Sequence, residues 1–229
     1  MNRVTNVLRL HIRGWHYWLL VPLSIVLSSF VINLFIAAIV GGKTAIYTGG
    51  LSSIYIYMLV VGSITVKETF AFALGFSVRR RDYYLGTLLM SAATSAASAL
   101  LIWLLSLVEA YLIPGWGVNL HFFHLPYLTD GPLAGQLWIY FVVMFCMFWL
   151  GFAPACVFQR FRSIGLYSLA AVVLVPVTVA WFAATRWNWW GTIFHWFAQQ
   201  SAFTLALWTL PIVAVCVLAS YAFLRKATA

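Results

Sequence analysis

With 229 residues, 64% of them hydrophobic and only 7% charged, the chain cannot be a water-soluble globule, in which about a quarter of residues are charged. Its length holds one helical membrane domain and leaves no room for a second folded one. The net charge of +9 would suggest nucleic acid in a soluble protein, but here it is sorted by side of the apolar runs, which excludes that reading.

Residues 1–16 open the chain with Val4, Val7, Leu8, Ile12 and Trp15 at helical spacing, while Arg3, Asn6, Arg9 and Arg13 hold another face. That pattern predicts an elbow helix lying in the membrane interface, cations toward the phosphates. A plain basic flank orienting the first span is the alternative. The first apolar run, 17–40, is longer than a signal-peptide core and lacks a small-x-small cleavage site, so it reads as a retained span. Gly42-Lys43-Thr44 imitates the end of a phosphate-binding loop. Ala37 stands where the first glycine should be and no strand precedes it, so a turn is expected.

A second span is expected at 51–70, followed by VKETFAFALGFSVRRRDYYLGTLL over residues 66–89. Phe70, Phe72, Leu74 and Phe76 are apolar but too short a run to cross again, and Arg79, Arg80, Arg81 and Asp82 follow. A short amphipathic piece at the membrane surface presenting an arginine cluster suits an acidic cytoplasmic protein; a cluster that only enforces topology is the plainer alternative. The third span, 86–112, contains SAATSAASA at 91–99, small enough for close approach on almost every side. Glu109 is the acidic side chain inside a span and is expected to reach the outer interface.

The loop GWGVNLHFFHLPYLTDGP carries His121, His124 and Asp130. Two histidines without a firm third ligand do not make a metal site, and the aromatic residues read as a cap over the helix ends. Spans four to six are expected at 137–158, 163–184 and 202–224, with Gly151 and Ala155 as a small pair and Pro154, Pro176 and Pro211 as kinks. Residues 185–201, rich in tryptophan, are too polar to span and fit an aromatic hairpin at the interface. Cys146, Cys156 and Cys216 lie within spans as apolar packing residues.

Eleven basic residues, namely Arg3, Arg9, Arg13, Lys67, Arg79, Arg80, Arg81, Arg160, Arg162, Arg225 and Lys226, fall on one side of these runs. Lys43 and Arg186 fall on the other. The positive-inside rule then predicts an all-α membrane protein of six transmembrane helices with both termini cytoplasmic.

The basic elbow, the six spans, the loop FALGFSVRRRDYYLG and the broken stretch before the sixth span together resemble the permease subunit of type-2 ATP-binding-cassette transporters, and among these the short actinobacterial exporter permeases. HFFHLPYLTDGP adds to the likeness. The architectural likeness covers the whole chain, and its specific part is residues 70–90. The resemblance implies that the stretch around Phe70 to Asp82 is a cytoplasmic coupling helix between spans two and three. Phe70, Phe72, Leu74, Phe76, Arg79, Arg80, Arg81 and Asp82 would engage a groove of a separate ATPase. It also implies a second permease chain, in a homodimer or heterodimer, two ATPases that carry the ATP, and a bacterial inner membrane. Catalytic, cofactor and metal residues are expected to be none, since no Gly-x-Ser-x-Gly, paired intramembrane aspartates or His-Glu-x-x-His occurs. A six-helix small-molecule-binding subunit of an importer is the alternative. Small and aromatic residues suit an amphipathic or lipid-like substrate.

Overall fold

The computed structural model of the protein describes residues 16–42, 44–76, 78–129 and 131–226. The expected elbow lies outside the described residues but for His16, as do Arg3, Arg9, Arg13, Lys43 and Asp130.

A wide helical turn at His16–Leu20 leads into α1, Val21–Val40. Pro22 sits in its first turn, where a missing amide hydrogen is tolerated, and Gly41 closes it at φ 78°. Helix α2 spans Ser52–Gly75, α3 spans Arg80–Leu107 and runs on through a wide turn at Val108–Leu112, and α4 spans Leu133–Arg186. The ten-residue α5, Trp190–Gln199, and α6, Ala202–Leu224, complete the order. The first part of α4 is the centre of the bundle, packed by α2, α3 and α6. Two strands of two residues each, β1 at Ile46–Tyr47 and β2 at Leu120–His121, pair in parallel and tie two loops together.

Five helices are long and apolar enough to cross a membrane. Their outward surface is apolar too. Phe35 and Ile39 on α1 are 68% and 72% exposed, and every residue from 170 to 182 on α4 is exposed. A surface of that kind faces lipid rather than water. The chain is a helical multi-pass membrane protein.

Expected spans four and five follow one another without a loop over Leu133–Arg186, 54 residues that as one straight helix would measure about 81 Å against about 30 Å of hydrocarbon. It is not straight. Arg162 has φ 56° and ψ −146°, and a Cβ on Gly165 would lie 3.2 Å from the Val157 carbonyl oxygen, eight residues earlier and about 12 Å away in a straight helix. The element therefore folds back at Arg162 without an intervening loop. A side chain other than glycine is strained in that backbone region. Arg162→Gly is expected to stabilise the protein by about 1 kcal/mol, read as a higher thermal midpoint in detergent; an unchanged or lower midpoint would count against a strained reversal.

Small residues are used on one face only. Ser91, Thr94, Ser95, Ser98 and Ala99 are buried, whereas Ala93 and Ala96 are exposed, so close approach on almost every side of α3 does not occur. The tightest crossing is between α2 and α4, where Gly62 meets the Phe148 and Phe152 backbone and Gly151 meets that of Leu59.

Candidate functional site

The segment expected to form a separate coupling helix does not form one. Residues 70–75 continue α2, because Val66, Phe70 and Ala73 repeat at helical spacing and all are buried in the core. Their burial keeps the helix in the bundle instead of letting it turn into the membrane plane. Phe76 ends α2, Arg79 is extended (φ −67°, ψ 141°), and α3 begins at Arg80. Asp82 sits in the first turn of α3, where a carboxylate complements the helix dipole.

The residues singled out in the sequence therefore separate into three groups. Phe70 is fully buried with its ring edge-on to Tyr83 at 5.3 Å, so it belongs to the protein's own core, and Leu74 packs half-buried beside it. Phe72 and Phe76 are 51% and 69% exposed and pair with each other at 4.7 Å. Arg79, Arg80 and Arg81 are exposed and Asp82 half-buried. The turn thus presents two phenylalanine rings beside three guanidiniums.

The last helix joins this cluster. Arg80 Nη1 donates to the Arg225 carbonyl at 3.1 Å, and the Tyr84 hydroxyl donates to the Val217 carbonyl at 2.6 Å. Terminal carbonyls of a helix lack intrahelical donors, so Arg80 caps the negative end of α6. Arg160 stacks over Phe161 at 4.6 Å and lies 6.0 Å from the Phe223 ring. The reversal at Arg162, the arginine turn and the end of α6 therefore meet at one end of the bundle. Sequence reading placed Arg225 on this side but did not pair it with Arg80; its only signal was a basic residue ending the last apolar run.

The opposite end is a compact cap. Glu109 is buried and its carboxylate accepts from Trp116 Nε1 at 2.9 Å, Phe122 N at 3.1 Å and Phe123 N at 2.8 Å. It is covered by the loop whose amides it binds. Phe122 and Phe123 are buried around Phe30, with ring separations of 5.4 and 5.3 Å. The aromatic loop is thus a packed miniature core. The two histidines do not converge. His121 Nδ1 lies 3.7 Å from Glu109 and its ring stacks on Tyr47, while His124 lies between Ser106 and Thr129. Among the described residues no three His, Cys, Asp or Glu side chains come together.

Beside the cap, a cavity of about 490 Å³ opens between the start of α4 and the start of α6, lined by Tyr127, Gln136, Ile139, Gln200, Ser201 and Phe203 among others. Gln136 is held there by its Nε2, which donates to the Thr129 and Gly131 carbonyls. Residues 185–201 do form a non-spanning piece. α5 would measure about 15 Å, and Trp190 and Trp196 pair with Trp181 and Trp208 at 4.6 and 6.2 Å.

No protein-family model matches the chain, and no curated protein or solved structure matches it either.

Proposed function

We propose that the chain is one permease half of an ATP-driven exporter in a bacterial inner membrane, coupled to a separate cytoplasmic ATPase. The observation that carries this reading is the α2–α3 turn, where exposed Phe72 and Phe76 stand beside Arg79, Arg80 and Arg81. An apolar pair ringed by cations at the end of a membrane bundle suits a groove with an acidic rim. The coupling element would be this tight turn and the two helix ends it joins, rather than a separate helix. Force applied there would pass directly into α2 and α3.

Other features support the reading. A fold-back at Arg162 is consistent with six crossings, and the charge sorting of the sequence would then put the arginine side in the cytoplasm. The stretch 170–182, exposed on all sides, offers a surface for a second permease chain, identical or different. In this reading the chain catalyses nothing itself, and the transported molecule is amphipathic.

The cavity near Gln136 and Gln200 favours a second reading, a small-molecule-binding subunit of an importer. α6 places it about 34 Å from the arginine turn, on the outer side if the arginines are inside.

Co-purification separates the readings. The chain should be recovered with a co-expressed cytoplasmic ATPase partner, and the combined change Arg79→Gln, Arg80→Gln and Arg81→Gln should weaken that recovery about tenfold or more, in a salt-sensitive manner. Correct insertion is checked first, and Arg186→Gln is the control. A correctly inserted triple variant with normal ATPase recovery and normal transport would make the arginines topological anchors only.

A further inference from the structure

We propose that a pocket between the start of α3 and the end of α6 binds the phosphate of an anionic membrane lipid. The inference needs only the membrane placement of the chain, although it shares Arg80 and Arg81 with the proposed ATPase-docking turn.

The pocket, about 200 Å³, is lined by Arg80, Arg81, Tyr221, Leu224 and Arg225. Three arginines line this one space, and like charges gathered there repel one another unless an anion lies between them. Among the described residues no carboxylate forms an ion pair with them. The ion pair formed among the described residues is His121 with Glu109, at the other end of the molecule. Arg80 is already aimed by its bond to the Arg225 carbonyl, which uses one of its five donors and leaves the rest for a ligand. Guanidinium groups match phosphate oxygens bidentately.

The surroundings select a lipid over a soluble anion. Val215, Leu218, Ala222 and Arg225 recur at helical spacing, so they form one stripe along α6. Val215 and Leu218 are 66% and 69% exposed. An acyl chain lying on that stripe brings its headgroup phosphate to Arg225 and the pocket. An acidic protein surface would meet the arginines but leave the stripe uncovered. Basic pockets at helix ends are where headgroups of anionic lipids settle. A net-negative headgroup is required, because a choline would return positive charge to a site already holding Arg80, Arg81 and Arg225.

The test uses the purified full-length chain in neutral detergent with fluorescent phosphatidylglycerol, phosphatidylcholine and inorganic phosphate as probes. Phosphatidylglycerol should bind at least about tenfold tighter than phosphatidylcholine. Arg81→Gln and Arg225→Gln should each weaken it about fivefold, while Arg186→Gln leaves it unchanged. Arg81 makes no side-chain hydrogen bond among the described residues, so its variant folds as the parent does; the headgroup comparison needs no variant at all. Equal binding of the two lipids, or indifference to both substitutions, would overturn the proposal. Displacement by inorganic phosphate at concentrations near that of the lipid would make the pocket a free-phosphate site. Displacement by polyglutamate would make it a protein-docking site. Either result overturns the lipid assignment.

Discussion

Gly151→Leu is expected to destabilise the bundle by about 3 kcal/mol. A Cβ at position 151 would run into the Leu59 carbonyl oxygen, with the Leu59 carbonyl carbon and Ser63 Oγ each 2.9 Å away. Gly62 has the reciprocal relation to α4, its Cβ colliding with the Phe148 carbonyl and lying 3.0 Å from the Phe152 nitrogen. Backbone atoms cannot rotate aside as a flexible side chain can, so the two helices must separate. Ser63 Oγ would then lose its contact with the Gly151 carbonyl at 3.3 Å. Apolar association has no water to escape inside a bilayer, and close packing supplies most of the attraction between helices. Separation is therefore a direct loss. Unfolding in mixed micelles measures it, with Gly191→Ala as the control, because a Cβ there meets nothing within 4 Å. Equal stability of Gly151→Leu and the parent would show that the helices cross less closely.

Glu109→Ala is expected to cost on the order of 4 kcal/mol and to loosen the cap while leaving the rest of the bundle intact. Removing the carboxylate orphans Trp116 Nε1 and the amides of Phe122 and Phe123. Each buried donor without a partner costs about 1–3 kcal/mol, and the sum is reduced where the loop opens to water. Glu109→Gln keeps one acceptor oxygen but turns an NH₂ group toward donors, so an intermediate loss is expected. Protease sensitivity of residues 113–125 and the fluorescence of Trp116 report the loop, and the thermal midpoint reports the whole. Unchanged protection of the loop in the alanine variant would contradict the role given to Glu109.

The apolar runs were readable because each is a local property, and the non-spanning character of residues 185–201 followed from its polarity. The end of α2 was misread for an identifiable reason. Phe70–Phe76 is too short a run to cross the membrane again, so it was assigned to the membrane surface. Yet Val66, Phe70 and Ala73 already carried the helical spacing of a buried face. The reversal at Arg162 was legible only as a gap between apolar runs, since nothing in a lone arginine announces a positive φ. Long-range partners were not legible at all. Gly62 is one glycine in an apolar run until the Phe148 carbonyl is placed against it. Glu109 is a lone intramembrane acid until the following loop folds back to supply donors from Trp116, Phe122 and Phe123. Arg80 and Arg225 stand 145 residues apart in the sequence, and only the packing of α3 on α6 brings them together.

Phe76→Cys, in a chain whose Cys146, Cys156 and Cys216 are replaced by alanine, tests coupling through the arginine turn most directly. Position 76 is 69% exposed at the tip between α2 and α3. In sealed vesicles holding the chain and the proposed partner ATPase, a thiol there should resist impermeant reagents added outside and cross-link to that ATPase. A thiol introduced by Tyr127→Cys, in the cap, should be labelled from outside. Labelling of position 76 from outside would reverse the topology and remove the turn from any cytoplasmic partner.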